Sequence, residues 1–151
     1  MQNFPDDAVA SAISLIRQFE GCRLTAYQDQ GGIWTIGWGD TENVQPGMTI
    51  TQADADQRLV SRVDQTARGA DNALAITLTA SQAGACIDLA YNIVVGAFAG
   101  STLLKDINRG NFSDVPTQFL RWNKVGGQPN AGLTRRRQAE INLWESDAPT
   151  A

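Results

Sequence analysis

Apolar positions along this chain follow two rhythms. Val9, Ala12, Ile13, Ile16 and then Phe19 or Glu20 recur at the i, i+3, i+4, i+7 spacing of one helical stripe. Asp6 and Asp7 stand before it as N-cap residues, and Gly21 follows it as a stop. The spacing then shortens. Leu24–Tyr27 and Ile33–Trp38 read as two strands, joined by Gln28-Asp29-Gln30-Gly31-Gly32, a turn of residues that tolerate positive φ. Gly37 and Gly39 flank Trp38 where the chain leaves the second strand, which implies bends or a close backbone approach.

Helical spacing returns at Thr51, which with Asp54 makes a capping start for a helix to about Gly69. Its apolar positions Ala55, Leu59, Val63 and Ala67 form a narrow stripe among charges, as in a helix that crosses between two lobes with much of its surface wet. A second capping box, Thr79 with Gln82, opens a helix whose Ala83, Cys86, Ile87, Ala90 and Tyr91 suit a central buried element. Short helices are expected from Ser101 or Thr102 to Arg109-Gly110, and from Ser113 or Asp114 through Trp122 with Pro116 in the first turn. Asn123 to Gly132 reads as a loop, and Thr134 as the cap of a last helix with Leu133, Ile141 and Trp144 inward. Trp122 and Trp144 read as core residues. The pattern predicts an α+β fold, mainly α, in a single domain. It comprises a small N-terminal lobe over residues 1–50, a connecting helix over 51–69 and an all-α C-terminal lobe over 70–151. A cleft between such lobes is a common ligand site.

Composition removes several classes of function. The 151 residues carry a net charge of −4, with −6 on residues 1–100 and +2 on the remainder. An acidic chain of this kind is a poor partner for nucleic acid, which requires a basic face. The charges of the C-terminal third read equally as an anion-facing patch or a solvated helix face. Cys22 and Cys86 are too few for a disulfide scaffold, and the chain has no histidine to complete a zinc site. Both are expected as small buried apolar residues, and neither a metal nor a cofactor is expected. The first residues lack the basic start and apolar run of a secretory signal. Leu89 to Gly100 is too short to cross a bilayer. The chain is therefore expected to be made as a soluble cytoplasmic monomer with no membrane insertion.

Candidate chemistry lies between Phe19 and Asp40. Glu20 falls on the apolar side of the first helix, where lost hydration favours the protonated carboxyl that a general acid needs. Its bland alternative is a helix-end glutamate paired with an arginine. Asp29 is either a polar carboxylate that stays ionised or a turn former bonded to nearby amides. Thr35 offers a hydroxyl within the second strand. Gly37-Trp38-Gly39 is not a phosphate loop, because no helix follows and Asp40 would repel a phosphate.

Glu20-Gly21, Asp29 nine residues later and Thr35 in WTIGWGD resemble the signature of phage-type lysozymes (endolysins, glycoside hydrolase family 24). Tyr91-Asn92, Gly96-Ala97-Phe98 and Ser101-Thr102-Leu103-Leu104 resemble the family's central helix and following loop. Phe119 to Asn123, Gly126-Gly127, Gly132-Leu133 and Arg135-Arg136-Arg137 with Glu140 resemble its C-terminal block. The resemblance implies a lysozyme-like two-lobed fold and cleavage of the β-1,4 bond between N-acetylmuramic acid and N-acetylglucosamine in bacterial peptidoglycan. It implies Glu20 as acid, Asp29 as base or charge stabiliser, Thr35 as holder of a water, and Asn92 and Ser101 as substrate-binding residues. It favours an inverting, water-mediated route and, with no signal seen, holin-type release to the wall. Two positions depart from the pattern: Asp40 stands where many members have histidine, and Val94 where glycine is common. The alternatives are a lytic transglycosylase, which would have no use for Asp29 and Thr35, and a non-catalytic wall-binding protein of the same fold.

Overall fold

The computed structural model describes residues 1–147. Helix α1 (Ala8–Glu20) leads into an antiparallel hairpin, β1 (Arg23–Gln28) and β2 (Trp34–Gly37), in which Tyr27 pairs with Thr35 and Gln28 with Trp34. The segment before the next helix closes against the outer edge of β1, where Ala26 N donates to Met48 O and Ile50 N to Leu24 O. Pairing on both sides leaves β1 as the middle of a small patch of extended chain.

Helix α2 (Gln52–Ala73) begins at the expected cap, with Thr51 and Asp54 bonding each other's backbone amides. It runs four residues past the expected stop at Gly69. A Cβ there would lie 2.8 Å from Val95 Cγ1, so Gly69 admits a neighbouring turn and ends nothing. Ala55, Leu59, Val63 and Ala67 are all buried, one residue per turn of the face turned inward.

Helix α3 (Ala80–Ile93) is the central element. Every residue from Ala83 to Ala90 is buried, since α1, α2 and the C-terminal helix all pack around it. Its Gly84 meets Ser11 of α1 so closely that a Cβ would come within 2.6 Å of Ser11 Cβ. Helix α1 therefore belongs physically to the helical body, although its position in sequence assigns it to the N-terminal lobe. Short helices α4 (Val95–Ala99), α5 (Thr102–Asn108) and α6 (Val115–Leu120) bring Phe98, Leu103, Ile107 and Phe119 into the core. Trp144 packs edge-on to Phe112, with ring centroids 5.3 Å apart, and Trp122 is half-buried against the same core.

Three local expectations are corrected. The segment Asn123 to Gly132 is not an open loop. It holds a second hairpin, β3 (Lys124–Val125) and β4 (Gln128–Pro129), turned by Gly126 and Gly127 at φ 57° and 79°, which suits a two-residue primed turn. Helix α7 (Ala131–Glu145) is capped by Asn130, whose side chain accepts from Leu133 N at 2.9 Å. Thr134 sits inside the first turn and donates its hydroxyl to Asn130 O. Cys22 is half-exposed beside Gln52, whereas Cys86 is buried as expected, and both are free thiols.

Candidate active site

Glu20 is the last residue of α1, and Gly21 at φ 63° turns the chain away from it. Gly39 closes the other side: a Cβ at that position would collide with Glu20 Oε2 and lie 2.6 Å from Glu20 Cδ. The close approach implied by the glycines around Trp38 is thus an approach to this carboxylate. Tyr91 Oη of α3 donates to Trp38 O at 2.9 Å and fastens the hairpin exit to the helical body. Burial first, then the nearby Glu20 and Asp40 carboxylates, raises the Tyr91 pKa, so its hydroxyl stays a donor.

The carboxylate of Glu20 is bound from the far end of the chain. Arg136 Nη1 donates to Glu20 Oε1 at 2.6 Å, while Arg136 Nε and Nη2 form a two-pronged pair with Asp88 at 3.0 and 2.9 Å. Asp88 is wholly buried and Arg136 nearly so. Burial opposes the charge on Arg136, but the Asp88 and Glu20 carboxylates outweigh it and raise its pKa. Beside them, Arg137 Nη2 donates to Glu140 Oε1 at 2.8 Å with both side chains fully buried. Burial first and Asp88 next push the Glu140 pKa well up, while the contacts from Glu140 and Arg136 hold that of Asp88 below the ordinary carboxylate value despite its burial. Arg136 and Arg137 are thus not on a solvated helix face, whereas Lys105, Arg109, Arg121, Lys124 and Arg135 of the same C-terminal third are exposed.

Asp29 is exposed at the hairpin turn, and its Oδ1 accepts from Gly31 N at 2.8 Å and Ile33 N at 2.9 Å. Thr35 is buried and donates its hydroxyl to Ile33 O at 2.9 Å. With that proton engaged, Thr35 Oγ1 presents lone pairs to the cavity as a hydrogen-bond acceptor.

Two cavities meet at these residues. One of about 380 Å³ is lined by Glu20, Asp29, Thr35, Tyr91, Asn92 and Val94. The other, of about 850 Å³, runs toward the second hairpin and α7, and shares Glu20, Asp29 and Asn92 with the first. Such a groove, with space on both sides of one carboxyl, suits a chain molecule cut in its interior. A third cavity of about 460 Å³, behind the hairpin against α2, holds none of the trio.

A family model described as "Phage lysozyme" matches residues 17–140. The chain belongs to the phage lysozyme family. It is 41% identical over 136 residues to an endolysin of Acyrthosiphon pisum secondary endosymbiont phage 1, a match spanning 87% of this chain and 93% of the relative. It is 38% identical to an endolysin of Bacillus phage B103, of which the chain spans about half the length (52%). Among solved structures, the muramidase domain of SpmX from Asticaccaulis excentricus superposes with a TM-score of 0.80 at 30% identity, over 95% of this chain and 98% of that one. These neighbours agree with the mainly α, lysozyme-like fold.

Within the family pattern, the structure accounts for Asp40. It is buried, forms an ion pair with Arg58 of α2 (Nε to Oδ2 2.8 Å), accepts from Glu42 N at 2.9 Å, and has Arg62 Nε 3.5 Å away. A carboxylate in the usual histidine position is thus met by arginines on the long helix. Ser101 takes another role than the one expected. It is buried, accepts from Leu104 N and donates to Phe98 O, capping α5, and it lines neither cavity beside Glu20. We read it as a helix cap in place of a substrate ligand. Asp88 and Arg136 were missed from sequence. The signal available was a lone carboxylate among buried positions of α3, set against an arginine triplet on α7.

Proposed function

We propose that this chain is an endolysin that hydrolyses the β-1,4 bond between N-acetylmuramic acid and N-acetylglucosamine in bacterial peptidoglycan, working as a single catalytic unit. The observation that carries the reading is the meeting of Glu20 and Asp29 across a two-sided groove, each held by a different environment. Glycoside cleavage needs an acid at the leaving oxygen and a second carboxylate on the other face of the sugar. Glu20, at the end of α1 on the wall of both cavities, donates its proton to the leaving oxygen. The carboxylate that results is received by Arg136, whose charge stabilises the product of the transfer. Asp29, fixed through Oδ1 on an exposed turn, takes a proton from the attacking water. Thr35 Oγ1 accepts the second hydrogen of that water and aims its lone pair at the anomeric carbon. Asn92, on both cavity walls, binds the glycan on either side of the cut.

Digestion of purified peptidoglycan by the wild type beside Glu20→Gln, with mass analysis of the products, tests reaction and residue together. Reducing ends carrying one added water are expected. Anhydro ends would instead assign a transglycosylase, and binding without cleavage a non-catalytic protein. The wall is the expected site of action, reached once the membrane is breached. Expression alone should leave cells intact, and permeabilisation should trigger lysis; lysis on expression alone would overturn that route. No helix among the described residues is long and apolar enough to cross a membrane.

A further inference from the structure

Among the described residues, two that are not glycine have positive φ, Asn43 and Val94. Asparagine tolerates that region, but a β-branched residue in it is an outlier. Val94, at φ 74° and ψ 150°, occupies a part of backbone space that is essentially glycine's own. The conformation is imposed from outside the residue. Val94 joins the end of α3 to the start of α4, and its carbonyl accepts from Phe98 N at 3.2 Å, with Phe98 wholly buried. Any residue at 94 must take this backbone, and glycine would take it without strain.

Packing within the fold does little to offset that strain, because Val94 is 63% exposed. It stands on the lining of the cavity that holds Glu20, Asp29 and Thr35, where Ile33 is the other aliphatic member and is also exposed. The remaining side chains of that lining are polar or charged. An isopropyl group kept there at a backbone cost stabilises something that enters from outside the chain.

We propose that Val94 is a substrate-contacting, specificity-determining residue that, with Ile33, receives a methyl group of the glycan at the mouth of the catalytic cavity. This rests on the hydrolase reading above. Methyl groups are present in the acetamido substituent of both sugars and in the lactyl ether of muramic acid alone.

Val94→Gly separates strain from contact. It is expected to raise the melting temperature and to raise KM on peptidoglycan about fivefold with kcat near wild type, as loss of a small apolar contact made equally in ground and transition states would do. Val94→Thr keeps the branched shape and the strain while replacing a methyl by a hydroxyl. It is expected to raise KM with the melting temperature unchanged. An N-acetylglucosamine oligomer, which lacks the lactyl group, assigns the methyl: an equal loss on both substrates identifies the acetamido group, and a loss confined to peptidoglycan the lactyl group. A wild-type KM in Val94→Gly overturns the proposal. So does a raised KM in Val94→Gly beside a wild-type KM in Val94→Thr, which would put the effect in the backbone. The same pair made in a Glu20→Gln background, read as binding to purified peptidoglycan, tests the contact without turnover. A failure of the hydrolase reading is thereby distinguished from a failure of this one.

Discussion

Glu20 and Asp29 are two carboxylates nine positions apart, secured in opposite ways. Asp29 is fixed by backbone amides two and four residues along its own turn. Glu20 is fixed by a guanidinium 116 positions away, itself held by a buried aspartate on a third helix. The turn is a local device that needs only its own residues. The helix-end site exists only after α1, α3 and α7 have packed. The carboxylate on the turn is thus held by local bonds alone, and the one at the helix end depends on the global fold.

This contrast can be broken at several points. The largest expected effect is on Glu20→Gln, which removes the acid and keeps the shape. Activity on purified peptidoglycan should fall about 10³–10⁴-fold with the melting temperature little changed. Asp88→Ala attacks the remote support instead. It leaves Arg136 buried with half its compensation gone, and removal of one partner from a buried pair costs about 3–5 kcal/mol. Urea unfolding should show that loss, and a wild-type midpoint would contradict the remote-support account. Asp29→Asn retains an oxygen for both turn amides, so the denaturation midpoint should hold while activity drops about a hundredfold or more. A midpoint that moves with it would mean the turn is not self-sufficient.

The smallest effect concerns Asp71, which is held by amides like Asp29 but is buried like Asp88. Burial would raise its pKa, but the N–H groups of Gln2, Asn3 and Phe4 at 2.9, 2.7 and 2.8 Å outweigh burial and hold it below the ordinary value. A depressed folded-state pKa means its contribution is fully present above the unfolded carboxyl value near 4 and is lost as pH falls through the folded one. The stability gap between wild type and Asp71→Asn should therefore be widest at neutral pH and close under acid. A gap independent of pH would show that charge is not what anchors the N-terminal segment.

What the sequence revealed follows the same division. The family resemblance made Glu20, Asp29 and Thr35 candidates, and they lie within one short stretch whose helix end, turn and strand are all local. The capping boxes at Thr51 and Thr79 were legible for that reason. Arg136 and Asp88 were not, because a buried charge looks like a surface charge until its partner is known. Gly69 misled because its purpose is to admit Val95, a contact invisible along the chain. Asn130 and Thr134 are both good caps, and only the second hairpin, which delivers the chain at Asn130, decides between them.

Gly39 carries a consequence for how enzymes of this kind can diverge. With the backbone of position 39 pressed against Glu20, no side chain fits on that bank of the groove without displacing the acid. Position 39 is confined to glycine as long as a glutamate stands at 20. The opposite bank, where the chain crosses from α3 to α4, is open by contrast: a side chain at position 94 stands free of the fold.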